Sequence, residues 1–556
     1  MKKSLSLFLA FIMVLLLCVT GFAAGTGWVE PTAKDPVVYI SGDSGWLEYN
    51  YGNNQFNIGH VGNLFDSNED SNVKEAVINV LQPFLLEGLL FNRWDNYYAA
   101  LEKEIGELFE PIAMDKNGDP KEGTGIISSS RKDLEYSRKN NIVERNGGYK
   151  ETSYRFYYDW RMDPLEVAEQ LNDYIEDVKK ATGHDKVNLS VRCLGCNVAL
   201  AYVDRYGTDS LHGLAIDVAT SLGSDFLGGM LSGDFGIDGF ALSRFLYDLN
   251  LYSKAGIDEF VMESIELLAS SGLTNLSLEM LRKTLYSRIE SGVISALATG
   301  TLMTMPCYWG MVPVEQFDKA VNNVFGPEGS EKREEYAGLI EKITAYNEEI
   351  KKNVYPILRS IEDAGVNIAV ISKYGTQLVP VLKDGSMVAD FYVSAERSSF
   401  GATTSTVYGQ LSDEYIAERT ELGFGKYISP DKQIDASTCL FRDYTWFFKG
   451  VEHGYYTKAE CEIMMAMLNA DEQLDISDIE ELLGWTQYTV YDYLTDTAEP
   501  MTEENCRNTT WTADETIDRP QNMIQKIRAY FIKLTDWYKS LFRLLKNLID
   551  SKKQTE

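Results

Sequence analysis

The sequence predicts an α/β fold on a mainly parallel sheet, with a helical block inserted between two strands and a helical appendage behind. Three observations carry that expectation. Strand-like and helix-like stretches alternate between residues 36 and 220. From about 223 to 360 the pattern turns almost wholly helical, and strand character then returns at "VNIAVIS", 366–372. Of the residues, 44% are apolar and 24% charged, a globular rather than disordered balance.

The first strand is "PVVYI", 36–40, followed by the glycine-rich loop "SGDSG". A helix follows over 163–183, "DPLEVAEQLNDYIEDVKKATG": Asp163 suits the N-cap, Pro164 the first turn and Gly183 the stop. Val167, Leu171, Tyr174 and Val178 recur at the helical period and mark its inner face. The strand "KVNLSV", 186–191, a turn at Cys193, the helix "LGCNVALAYVDRYG" and the strand "LHGLAIDVAT", 211–220, complete the alternation. These elements divide the chain into a first core part at 30–222, a cap at 223–360, a second core part at 361–457 and a helical region at 458–556. Within the last, residues 521–549 carry an apolar heptad stripe and a basic opposite face. Such a helix suits docking on the protein's own acidic body or on a partner helix, and it also suits an anionic membrane surface.

The start, "MKKSLSLFLAFIMVLLLCVTGFAA", has two lysines, a short apolar run and small residues near Ala24; it reads as a signal peptide over 1–24, so the protein is expected outside the cytoplasm or at the cell envelope. The formal charge of -31 repels nucleic acid, and that partner class is excluded. No cluster of histidine and cysteine has zinc spacing, and no cofactor is expected. "DKNGDPKEGTGI", 115–126, opens like a calcium loop but has Pro120 and Ile126 where glycine and glutamate are required, so it reads as a polar turn. Only four histidines occur, His60, His184, His212 and His453.

Chemistry concentrates at "VNLSVRCLGCNVALAYV", 187–203: a strand, a sharp turn and a helix, with Cys193 where a hydrolase nucleophile would project. Gly195, two places on, suits the crowded turn, whereas Val191 stands two places before it and Arg192 directly before it. Together with "YYDWRMDP", 157–164, and "PVVYISGDSGWLE", this segment resembles the lecithin:cholesterol acyltransferase family, which includes lysosomal phospholipase A2 and related bacterial lipases. "ADFYVSAERSSFGAT" and "IDASTCLFRDYTWFFKGVEH" look like that family's acid-bearing and histidine-bearing segments. The resemblance spans roughly residues 30–455. It implies an α/β-hydrolase fold with a helical cap, an ester hydrolase or acyltransferase activity, and a lipid-like ester as substrate.

Carried over, the resemblance implies Cys193 as nucleophile, Asp390 as acid and His453 as base. The order nucleophile, acid, histidine is the expected one, and His453 is the one histidine downstream of the acid. Phe391 stands where the family has glycine after the aspartate; Asp384 has the glycine but spaces worse against "FGAT". The amides of Leu194 and Ser44 are the implied oxyanion donors, with Asp43 in the loop nearby. A thiolate is a better nucleophile than a neutral hydroxyl, and Arg192 would favour it if turned toward the sulfur. Val191 and Phe391 equally suit a silent fold that keeps a lipid pocket or acts at the envelope. Cys193 and Cys196 also form a C-x-x-C at a helix start, as in thiol–disulfide exchange.

Overall fold

The computed structural model describes residues 35–42, 93–109, 113–121, 153–234, 302–378, 387–407, 409–492 and 495–507, with shorter stretches between 47 and 126. The leader at 1–24, Asp43, Ser44, His60, the block at 235–301, Asp384 and the 521–549 helix lie outside the described residues.

Eight strands form one sheet. In chain order they are β1 (Val37–Ile40), β2 (Ser153–Arg155), β3 (Val187–Arg192), β4 (Leu211–Asp217), β5 (Asn367–Tyr374), β6 (Thr445–Lys449), β7 (Tyr488–Asp492) and β8 (Thr497–Pro500). Their spatial order is β8-β7-β6-β5-β4-β3-β1-β2, parallel throughout except for the antiparallel β7–β8 pair. Ile40 lies opposite Val191, Arg192 opposite Asp217, and Asp217 opposite Ile371, so the turns after these strands gather at one edge. Open parallel sheets bind ligands at that carboxyl edge.

Helices cover both faces. The alternation of β-strand side chains sends Val38, Leu214, Ile216, Ile368 and Val370 into one core. Val37, Ala215, Ala369 and Ile371 point into the other. The first core takes α1 (Pro164–Thr182), α2 (Leu194–Tyr206) and α3 (Val354–Asp363). The second takes α4 (Lys458–Asn469) through Ile463, Met464, Met467 and Leu468. Helix α1 follows its sequence signals: Asp163 accepts from the Leu165 amide, Pro164 opens the first turn, and Gly183 ends it at φ 75°. Val167, Leu171, Tyr174 and Val178 are all buried. Between β4 and β5, the described residues are helical over Asp225–Ser232, Val314–Phe325 and Ala337–Glu349 as well as α3.

The second core part at 361–457 also contains β6, whose "TWFFK" is buried throughout and therefore lacks the alternation that marks a half-exposed strand. One expectation is corrected. The expected helical region at 458–556 instead supplies β7 and β8 to the sheet, beside α4 and the helix Ile476–Leu483. Pro500 is tolerated because β8 is the edge strand. Among the described residues no helix is long and apolar enough to cross a membrane.

Candidate active site

Strand β3 runs out at Arg192, and Cys193 turns the chain with φ 50° and ψ −122° before α2 begins at Leu194. A side chain with positive φ is uncommon and strained, and it lifts the sulfur above the carboxyl edge of the sheet. Two glycines lie close against the turn, and Gly195 is the one it requires. A Cβ on Gly195 would stand 2.2 Å from the Ile40 carbonyl oxygen, so α2 starts with its backbone pressed against β1. A Cβ on Gly42 would stand 3.2 Å from the Cys193 Cβ, 3.3 Å from its Sγ and 3.4 Å from the Leu194 nitrogen. Val191, at the position where a small residue was expected, is buried in the first core and pairs with Ile40 and Ile216.

The Cys193 amide is occupied by the Asp217 carbonyl at 3.2 Å. The Leu194 amide opens a helix and has no intrahelical acceptor. It faces the loop after β1 at Gly42, the arrangement of an oxyanion donor beside a nucleophile. That loop is held by Tyr158, whose hydroxyl donates to the carbonyls of Ser41 at 2.8 Å and Gly42 at 3.0 Å. Asp159 and Arg161 of the same "YDWR" segment form a buried bidentate pair, with Nη2 to Oδ2 at 2.7 Å and Nε to Oδ1 at 2.9 Å. The second expected donor, Ser44, and its neighbour Asp43 fall outside the described residues.

Asp390 and His453 come from loops beyond β5 and β6, and they meet: His453 Nδ1 is 2.8 Å from Asp390 Oδ2. Asp390 is fully buried, and its other oxygen accepts from the amides of Tyr392 at 3.1 Å and Val393 at 2.9 Å. Burial pushes its carboxyl up, but the His453 charge and these hydrogen bonds hold it below the ordinary carboxylate value. Phe391 keeps φ 82°, the conformation for which glycine is favoured, and turns the loop so that both amides face the carboxylate. Burial likewise pushes the His453 imidazole down, yet the Asp390 carboxylate and the Cys193 sulfur raise it to about 10. With Nδ1 on the carboxylate, Nε2 is the nitrogen left for the sulfur. Tyr392 packs edge-on against the imidazole, with ring centroids 5.2 Å apart.

His184 and His212 lie elsewhere. Both share Asp35, at 2.9 and 3.4 Å, near the amino ends of β1, β3 and β4, at the opposite edge of the sheet. The direct contacts of Arg192 go to groups other than the sulfur, although the two bear on each other electrostatically. Its guanidinium pairs with Asp217 at 3.3 Å, donates to the carbonyls of His453 and Tyr455, and lies 4.0 Å from the centre of the Tyr456 ring. Cys193 and Cys196 are both free; burial raises the Cys196 thiol well above its ordinary value, which disfavours thiol exchange. Asp115 accepts from the amides of Asn117 and Asp119 at 2.8 and 2.9 Å, the polar turn expected there. No group of three or more candidate metal ligands occurs among the described residues.

Gly42, Tyr158 and Tyr392 were not singled out by the sequence as site residues. Gly42 lies in the glycine-rich loop after the first strand, and Tyr158 and Tyr392 lie in the segments that carry the family resemblance, "YYDWRMDP" and "ADFYVSAERSSFGAT". No protein-family model matches the chain, and no curated protein matches it. A solved structure described as "The crystal structure of Tle4-Tli4 complex" is similar at 14% identity and a TM-score of 0.25, covering 63% of this chain and 77% of that one.

Proposed function

We propose that the protein is an exported ester hydrolase or acyltransferase with an α/β-hydrolase fold, related to the lecithin:cholesterol acyltransferase family and acting on a lipid-like ester. One observation carries the reading: Cys193, His453 and Asp390, 260 positions apart at their extremes, form one line at the carboxyl edge of a parallel sheet, in the expected chain order.

The chemistry follows from the atoms in place. The Cys193 thiolate attacks the ester carbonyl carbon, and the resulting oxyanion is met by the Leu194 amide. The leaving alkoxide takes a proton from His453 Nε2, and a thioester remains. Water, or an acceptor alcohol, then gives its proton to His453 as its oxygen attacks the thioester, and the thiolate departs. Asp390 fixes the imidazole orientation and balances its charge throughout. A protonated His453 suits this chemistry, since the imidazolium already carries the proton that the leaving alkoxide takes.

A panel of chromogenic esters of increasing acyl length, assayed under reducing conditions, tests the proposal. Turnover lost in Cys193→Ala and in His453→Ala is expected. A second reading, a silent fold that binds lipid, rests on Val191 and Phe391 occupying positions where glycine was expected; absence of turnover in the wild type favours it. For the basic stretch 521–549, which the sequence predicts as a helix, we propose peripheral contact with an anionic membrane. Liposome flotation with and without residues 519–556 tests that contact.

A further inference from the structure

Beneath the His453 loop lie four charged side chains that the chemistry above does not use. Arg192, Asp217, Lys373 and Glu460 are 8%, 1%, 0% and 0% exposed. Arg192 pairs with Asp217 at 3.3 Å; Lys373 pairs with Asp217 at 3.3 Å and with Glu460 at 3.0 Å. Burying four charges is costly unless each is paired, and here two cations face two carboxylates.

What the cations do with their remaining donors is the informative part. Arg192 donates to the carbonyls of His453 and Tyr455, and Lys373 donates to the Tyr455 carbonyl at 2.6 Å. The Tyr456 ring takes both charges on its face, 4.0 Å from the Arg192 guanidinium and 5.1 Å from the Lys373 ammonium. Glu460 closes the far end, pairing with Lys373 while its carboxylate accepts from the Thr457 amide in the capping box that starts α4. The loop from His453 to Thr457 is thus gripped through its own backbone by Arg192 of β3 and Lys373 of β5, and Asp217 of β4 pairs with both cations.

We propose that this buried quartet is a positioning device that sets where the His453 imidazole sits relative to Cys193 and Asp390, with Arg192 as the residue linking the cysteine turn to the histidine loop. The proposal rests on the Cys193–His453–Asp390 reading. Arg192 acts through the loop backbone and touches no reacting atom.

The test follows the His453 titration by NMR in protein labelled at its four histidines, with His453→Ala assigning the signal, alongside kcat and KM on the chromogenic ester. The charged groups facing the imidazole are Asp390 and Cys193; Glu452 faces Arg192, Lys373 and His453. In the wild type the midpoint is expected near 10. In Arg192→Met it should fall toward the free value of about 6.5 as the imidazole leaves Asp390, with kcat down about a hundredfold and KM little changed. Arg192→Lys, which keeps a cation and a donor, should restore part of both. If Arg192→Met is too unstable to purify, Arg192→Gln combined with Asp217→Asn removes both charges together and is read the same way. An unchanged His453 midpoint in a variant whose urea midpoint has dropped overturns the proposal, because the quartet is then structural only. A wild-type midpoint near the free value sinks the triad reading as well. A wild type that turns over no ester, yet shows the midpoint shift in Arg192→Met, sinks the proposed activity and leaves the positioning role standing.

Discussion

Substituting Gly42 by alanine separates chemistry from folding at this site. The position has no left-handed backbone requirement, so the added methyl is conformationally acceptable. Its carbon would lie 3.2 Å from the Cys193 Cβ and 3.3 Å from Sγ, a few tenths of an ångström inside ordinary contact. That mild overpacking opposes the gain from a stiffer unfolded chain, and the two should offset to within about 1 kcal/mol. The same carbon would stand 3.4 Å from the Leu194 nitrogen, over the amide proposed to meet the oxyanion. Blocking one such donor costs about 2.7–4 kcal/mol of transition-state stabilisation, or about 10²–10³-fold in kcat. We therefore expect Gly42→Ala to keep the wild-type urea midpoint nearly unchanged while kcat on a chromogenic ester collapses and KM stays close to its starting value. A folded variant with wild-type kcat would refute the placement of the oxyanion at Leu194.

Asp390→Asn should lower kcat by about 10⁴-fold, since the amide cannot balance an imidazolium and presents the wrong partner to Nδ1; a small loss would show that the carboxylate does not orient His453. Cys193→Ser should turn over much more slowly at neutral pH, because the Asp390 carboxylate still raises His453 after the sulfur's own contribution is gone and leaves less free imidazole to take a hydroxyl proton, and full esterase turnover by that variant would contradict the reading. Stability should follow the ion pair. His453 titrates higher folded than unfolded, so its contribution is complete below about pH 6.5 and is lost as the pH rises toward 10. Asp390 titrates lower folded, so its contribution is present above about pH 4 and is lost in acid. The urea-midpoint advantage of the wild type over His453→Gln should then peak between about pH 4 and 6.5, and an advantage that grows toward pH 10 would reverse the sign of the argument. Gly195→Ala should destabilise by about 1–3 kcal/mol or more, read as a urea midpoint, because its methyl meets the Ile40 carbonyl at 2.2 Å rather than a side chain that can move; an unchanged midpoint would mean that α2 slides freely along β1.

The parts legible in the sequence are those governed by local rules. Asp163, Pro164 and Gly183 punctuate α1 because caps act on adjacent amides and carbonyls, and the buried face of that helix follows from its period alone. Cys193 stood out as a candidate because a strand, a turn and a helix are contiguous; Asp390 and His453 were candidates through a resemblance of whole segments, and the structure sets His453 Nδ1 2.8 Å from Asp390 Oδ2. What escaped depends on distant partners. "TWFFK" is a central strand covered on both faces, so its pattern is that of any apolar run. Strands β7 and β8 are short, and only their pairing beside β6 identifies them. Arg192 was expected to aid the sulfur because the two are neighbours in sequence. Its reach is set instead by Asp217 and by the carbonyls of a loop 261 residues further on.

Phe391 shows how an unfavourable residue can occupy a geometrically demanding place. Holding a bulky side chain at φ 82° costs on the order of 1–3 kcal/mol, which glycine would avoid. The phenyl ring, however, is only 4% exposed and joins the first core, and burying it contributes about 1.5–3 kcal/mol. The two effects are of the same size, so the loop keeps the bend that aims two amides at Asp390 without net loss. Val191 follows the same logic within β3, where its side chain joins the core between β1 and β4. Neither departure from glycine therefore disturbs the line from carboxylate to imidazole to sulfur. The change with chemical consequence is the cysteine itself, and under the proposed reading the high proton affinity of His453 is matched to a sulfur nucleophile rather than to a hydroxyl.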